Sequence, residues 1–162
     1  MGAGCRRLGG AAGAPLIADA GADDADALRE LFREYFALLG PDGWFMEVEG
    51  ELAALPGGYE ALLVLRLAGE AAGCVAVRSL GDGVCEMKRL YVRSTMRGSG
   101  GGRALVEGSI VRARELGYAT MRLDTLPAMG AAQALYRSLG FREIERYNDN
   151  PIEGVLFFEL EL

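Results

Sequence analysis

The stretch Val92-Arg93-Ser94-Thr95-Met96-Arg97-Gly98-Ser99-Gly100-Gly101-Gly102-Arg103 decides how this chain is read. It leaves an apolar run, Val84–Val92, that reads as a strand. It enters Arg103–Leu116, a helix with Gly117 at its C-terminal stop. Glycines let the backbone turn tightly and approach a ligand with no Cβ atom in the way. The first-turn amides of the helix then point at the ligand, and the helix dipole favours an anion there. Arg97 and Arg103 add fixed charge that forks onto phosphate oxygens. Two readings compete: a phosphate or pyrophosphate cradle, and a flexible start to a helix. Glycines, arginines and helix entry coincide, which favours the cradle.

Working outward, charge marks the same place. The chain carries 17 Lys and Arg against 23 Asp and Glu, a net charge of −6, the wrong sign for a general nucleic-acid binder. Between residues 86 and 103, however, Lys88, Arg89, Arg93, Arg97 and Arg103 face Glu86 alone. A solvated surface run would explain these charges but not the glycines among them. The chain has no histidine, which removes Ser-His-Asp and Cys-His catalysis and the common His-containing zinc sites. Cys5, Cys74 and Cys85 form no C-x-x-C pair and read as free thiols of a reducing cytoplasm. No apolar run reaches the roughly 18 residues that span a bilayer.

At 162 residues, 51% of them hydrophobic, the chain has the size and core of one domain. Met1–Ala14, rich in Gly and Ala, reads as a disordered leader, with residues 15–162 as the single domain. Pro15–Ala20 is a strand candidate. A helix follows Asp23 or Asp24, with Leu28, Leu31, Phe32, Tyr35, Leu38 and Leu39 on its apolar face, and Gly40-Pro41 stops it. Glu47–Leu55 is a weaker helix. Tyr59–Leu67, Ala71–Leu80 and Val84–Val92 read as strands joined by antiparallel turns at Gly69 and Gly81-Asp82-Gly83. Ala119–Asp124 is a strand, Ala128–Leu139 a helix, and Phe141–Tyr147 and Gly154–Leu162 the closing strands. This order makes a mixed α/β domain.

A Walker A loop needs Gly-Lys-Ser/Thr, which is absent. A dinucleotide turn needs a third glycine where Arg103 stands, although Asp124 has the spacing of its ribose acid. The pattern that fits is Arg97-x-x-Gly100-x-Gly102, with Leu90-Tyr91-Val92 before it and Ala134-Leu135-Tyr136-x-x-x-Gly140-Phe141 after it. Together these resemble the GNAT superfamily of acyl-CoA-dependent N-acetyltransferases, and Leu123–Met129 looks like its bacterial small-molecule members. The resemblance implies a mixed, mostly antiparallel central sheet of about seven strands flanked by about four helices. That sheet splays between its fourth and fifth strands to admit the pantetheine arm of acetyl-CoA.

Carried over residue by residue, the resemblance has the backbone of Leu90, Tyr91 and Val92 bind pantetheine. The Leu90 N–H would polarise the thioester carbonyl. Amides from Arg97 through Gly98, Ser99, Gly100, Gly101 and Gly102 to Arg103 would hold the pyrophosphate. Tyr136 matches the tyrosine near the thioester sulfur, a general acid; packing against Phe141 is the competing view. Glu86 matches a general-base glutamate, against a strand glutamate paired with Lys88 or Arg89. Met129 stands where many members have asparagine. Tyr35, Trp44 and Phe45 on one side, and Tyr147 with Asn148 and Asn150 on the other, are candidate acceptor-binding residues.

The expected reaction is acetyl transfer from acetyl-CoA to a primary amine of a small molecule or peptide, by direct attack in a ternary complex and without a metal. The alternative is a catalytically silent acyl-CoA sensor. Neither nucleic acid nor membrane is expected as a partner. Exposed C-terminal edge strands are compatible with a homodimer.

Overall fold

The computed structural model describes residues 6–7, 14–43 and 47–162, with the backbone alone at 6–7 and 42–43. Two tight turns bend the middle of the chain into a meander. Ala68 and Gly69 connect β3 (Ala61–Leu67) to β4 (Glu70–Gly81), and Asp82 and Gly83 connect β4 to β5 (Val84–Val92). The φ values of Ala68, Gly69, Asp82 and Gly83 are 50°, 85°, 52° and 77°, the left-handed geometry that matches strand twist in two-residue hairpins.

Before the meander come β1 (Arg6–Arg7), β2 (Leu16–Asp19), α1 (Ala25–Leu39) and α2 (Val48–Ala54). After it come α3 (Gly101–Glu115), β6 (Thr120–Thr125), α4 (Gly130–Ser138), β7 (Arg142–Ile144) and β8 (Leu156–Glu161). The sheet order is β1-β2-β3-β4-β5-β6-β8-β7, antiparallel except where β5 meets β6. This is the expected mixed sheet with four helices. Its eighth strand is the two-residue β1, where Arg6 and Arg7 lie opposite Ile17 and Leu16. That pairing falls within the stretch read as a leader.

The sheet has two apolar faces. Leu63, Leu65, Val75, Val77, Cys85 and Met87 pack under α3 and α4. Leu62, Val64, Cys74, Ala76 and Tyr91 pack under α1 and α2. Cys74 and Cys85 are thus buried free thiols on opposite faces, as their unequal distances from the turn imply.

On α1 the inward set is Leu28, Leu31, Phe32, Phe36 and Leu39. Leu38, expected inside, is 57% exposed, and Phe36 takes the inward place. At 100° per residue both positions flank the stripe, and packing against β4 and β5 decides between them. The last helix and strands are also shorter than expected. Pairing with β8 covers only Arg142–Ile144, so Glu145–Tyr147 leave the sheet and cross toward the site.

One interruption in the ladder makes the cleft. β6 pairs with β5 only from Val84 to Glu86, then continues alongside β8. Opposite Val75, β5 carries an extra residue, and Arg89 at the bulge has φ +57°. Bulges bend and twist a strand, and here the upper half of β5 turns away from β6. Gly73 lets β4 stay close at this point. A Cβ there would lie 2.5 Å from the Tyr91 carbonyl oxygen.

Candidate active site

On the α3 side of the cleft, Gly98 and Gly100 both have φ +83°, and Gly100 is the N-cap of α3. That geometry turns the chain into the helix and leaves donors behind. Among the described residues, the amides of Gly98, Ser99, Gly100, Gly102 and Arg103 make no backbone hydrogen bond. The first helical bond outside α3 itself runs from Ala104 to the Gly100 carbonyl. Such amides at a helix N-terminus suit a phosphate. Ser99 Oγ donates to the Met96 carbonyl at 2.7 Å and accepts from the Gly101 amide at 3.3 Å, which fixes the loop. Gly101 is buried, and a Cβ there would run into Leu65. Arg97 Nε reaches back to the Val92 carbonyl at 3.3 Å. Arg103 bonds Ser138 Oγ at 2.8 Å and so ties α3 to α4. The loop therefore fits the diphosphate of an acyl carrier.

The cationic island is largely neutralised by other segments. Arg89 makes a two-pronged contact with Glu51 of α2 at 2.8 and 2.9 Å and lies over the rings of Tyr35 and Phe36. Arg93 bridges Glu34 and Glu30 of α1. Arg103 also meets Glu107 at 3.4 Å. Of the five cations, only Arg97 and Arg103 stand at the glycine loop.

Leu90 and Val92 pack toward the α3 core, whereas Tyr91 turns its ring to the other face. Its hydroxyl donates to Glu34 at 2.9 Å. Strand alternation makes that division. Only the Tyr91 backbone, therefore, is available for the cofactor role expected of it.

On the α1 side lies a cavity of about 220 Å³. Tyr35, Arg78, Lys88, Asp124 and Asn148 form its polar wall; Leu39, Leu126, Met129 and Ile152 its apolar one. Glu86 sits behind the polar wall with no exposed surface. Its Oε1 accepts from Arg78 Nε at 2.7 Å and lies 3.3 Å from Lys88 Nζ. Its Oε2 accepts from the Tyr147 hydroxyl at 2.6 Å and from Asn148 Nδ2 at 3.5 Å. Of the two partners expected for Glu86, Lys88 is found, while Arg89 goes to Glu51. The unforeseen partner is Arg78, directly opposite Glu86 in the β4–β5 register.

Asn148 links this hub to Asp124. Its Nδ2 also donates to Asp124 Oδ2 at 2.8 Å, and Asn150 Nδ2 adds a contact at 3.2 Å. Tyr147 lies outside the cavity lining. Its ring meets Phe157 edge-on, and burial together with the Glu86 charge pushes its phenol well above the ordinary range. Tyr147 thus supports Glu86 rather than lining the cavity. Trp44 and Phe45 lie outside the described residues.

Tyr136, on α4, is buried against Phe141 and Phe158, with ring centroids 5.8 and 6.1 Å away. Burial raises its phenol strongly, and the nearby Tyr35 and Asp124 raise it further. Among the described residues its hydroxyl has no hydrogen-bond partner. Gln133, also on α4, donates to the carbonyls of Leu126 and Pro127 and so holds the loop that presents Met129.

The sequence profile of the Acetyltransferase (GNAT) family matches residues 25–141, from the start of α1 through the glycine loop to Phe141. The chain belongs to this family and is an acyl-CoA-dependent N-acetyltransferase. It is 43% identical over 145 residues to an uncharacterized N-acetyltransferase of Schizosaccharomyces pombe, covering 86% of this chain and 89% of that protein. The N-acetylaspartate synthetase of Danio rerio is 35% identical over 96 residues, 59% of this chain and 34% of that protein. Among solved structures, yncA of Salmonella typhimurium, a candidate acetyltransferase determined with its cofactor acetyl-CoA, has a TM-score of 0.72 at 25% identity. That match covers 91% of this chain and 94% of the other. Relatives thus occur in eukaryotes as well as bacteria.

Proposed function

We propose that the protein acetylates the primary amine of a small molecule with acetyl-CoA, by direct attack in a ternary complex. The observation that carries this reading is the divergence of β6 from β5 beyond Glu86. It opens one cleft with unbonded amides on one side and, on the other, a half-open cavity with one polar and one apolar wall. At about 220 Å³ the cavity is below the roughly 300–1,000 Å³ of common ligand pockets, which favours a small acceptor over a peptide.

Acetyl-CoA supplies a thioester; as the amine nitrogen bonds to its carbonyl carbon, the C–S bond breaks. The glycine-loop amides hold the diphosphate, and the unpaired edge of β5 from Met87 to Val92 lies along the pantetheine arm. An amine with pKa about 10 must lose a proton, a penalty near 4 kcal/mol at pH 7. Glu86 is poorly suited to take it, since protonation would leave Arg78 and Lys88 without their counter-charge. Asp124 lines the cavity and, among the described residues, accepts only from the neutral amides Asn148 and Asn150. We assign proton acceptance to Asp124, through water, and to Glu86 the positioning of Arg78 and Lys88.

Tyr136 keeps its proton at any physiological pH. A leaving thiolate has pKa near 8.5, so full transfer from a raised phenol is uphill. Its hydroxyl instead donates a hydrogen bond that stabilises the departing sulfur. The test is release of free CoA thiol across a panel of amines, with initial rates at varied concentrations of both substrates. Intersecting lines support direct transfer. Parallel lines, or CoA binding with no turnover on any amine, overturn it.

A further inference from the structure

The polar wall of the cavity is divided by charge. Arg78 and Lys88 share one carboxylate, that of Glu86, so this part of the wall has one positive charge in excess. Among the described residues Lys88 makes a single polar contact, at 3.3 Å, although its side chain is only 15% exposed. An ammonium has three donors, and the other two have no partner among the described residues. Asp124 is the opposite case, an anion in the same wall held, among the described residues, by neutral amides alone. Thr125 lines the same cavity, and its Oγ1 is the one buried side-chain polar atom among the described residues without a partner. Unsatisfied buried polar groups are uncommon and point to a missing ligand or water.

We propose that the acceptor is an amino acid or a close analogue, with its carboxylate on Lys88 and Arg78 and its amine at Asp124. This rests on reading the cavity as the acceptor site. Such a ligand brings a carboxylate to the two cations and an ammonium to the acidic part of the wall, where the exposed Asp149 also lines the cavity. A simple monoamine satisfies Asp124 and leaves Lys88 sharing the Glu86 carboxylate with Arg78. A diamine would bring a second cation against Lys88 and Arg78. The apolar wall of Leu39, Leu126, Met129 and Ile152 remains for the side chain or carbon skeleton. The Danio rerio relative, named for the synthesis of N-acetylaspartate, is consistent with an amino-acid acceptor.

The test is isothermal titration of leucine, leucinamide, isoamylamine, aspartate and putrescine into the CoA-loaded protein. One charge-assisted contact corresponds to roughly 10- to 100-fold in affinity. At least one of the two free amino acids is therefore expected to bind tenfold or more tightly than leucinamide, isoamylamine and putrescine. Lys88→Met is expected to abolish that preference, and Lys88→Arg, which keeps the charge, to retain most of it. Equal or tighter binding of the amide or either amine overturns the proposal, as does a Lys88→Met variant with the preference intact. Failure of both amino acids to bind also overturns it. Thiol release with the same compounds separates the two levels. Turnover without a carboxylate preference sinks the acceptor class alone, whereas selective binding without turnover sinks the acetyltransfer reading and leaves the ligand class standing.

Discussion

At the glycine loop the groups offered to a ligand are backbone amides of five neighbouring residues. In the cavity they are side chains from α1, β4, β5, β6 and the segment after β7. The loop works because side chains are missing there. The cavity works because charged side chains from distant segments neutralise one another incompletely. The first is damaged by adding a Cβ, the second by deleting a charge, and Tyr136 lies between them.

Glu86→Ala strikes the cavity hardest, since it leaves Arg78 and Lys88 facing each other without a counter-ion. The expected loss is about 3 kcal/mol of unfolding free energy, read from denaturant midpoints, with Glu86→Gln losing less. A midpoint unchanged by alanine would show that the hub holds nothing together. Tyr136→Phe comes next, with kcat expected to fall about 10²-fold and KM for acetyl-CoA nearly constant. The thermal midpoint should barely move, because the hydroxyl has no hydrogen-bond partner among the described residues. An unchanged kcat removes its role.

Gly100→Ala tests the loop. Its φ of +83° is costly for any residue with a Cβ, although the space around it is open. A strain of about 1–2 kcal/mol is expected to weaken CoA binding roughly tenfold and leave the acceptor KM alone. An equal effect on both substrates would break the contrast between the two ends.

The smallest effect concerns the sheet beneath both ends. Burial pushes the Cys74 thiol up to about 12 and the Cys85 thiol up to about 11. In the unfolded chain these thiols ionise near pH 8.5, so above that pH the folded state binds more protons. Their contribution is complete below about pH 8.5 and declines as pH rises through 11 to 12. From pH 8.5 to pH 9 the expected loss is roughly 1 kcal/mol in all, and Cys74→Ala with Cys85→Ala should flatten the profile. A slope that survives the double substitution assigns the pH dependence to other groups.

Much of the frame was legible because it rests on local rules. The turns at Ala68-Gly69 and Asp82-Gly83, the stop at Gly40 and the entry at Gly100 each need a backbone conformation that few residues adopt. Alternation alone sends Tyr91 away from Leu90 and Val92. The partners of the cationic island were not legible, because Arg89–Glu51 and Arg93–Glu34 join residues far apart in the chain. Nor was the cross-strand charge pair Arg78–Glu86: an irregularity between Ser79 and Gly81 shifts the register beside the turn, and uninterrupted counting from Gly81–Val84 would set Ser79 opposite Glu86. Asp124 was noticed for its spacing to the glycines, but its place in the cavity follows from the separation of β5 and β6.

The sequence by itself determined the meander, the helix entry at the glycine loop and the family, since dihedral preference and hydrophobic period act over a few residues. Tertiary structure decided which charges meet. Among the described residues Glu86 became a shared counter-ion, Asp124 an anion held by amides, and Lys88 a largely buried cation with one polar contact. Coulombic pairing depends on distance in space, and here the ladder ending at Glu86 and the bulge at Arg89 set those distances.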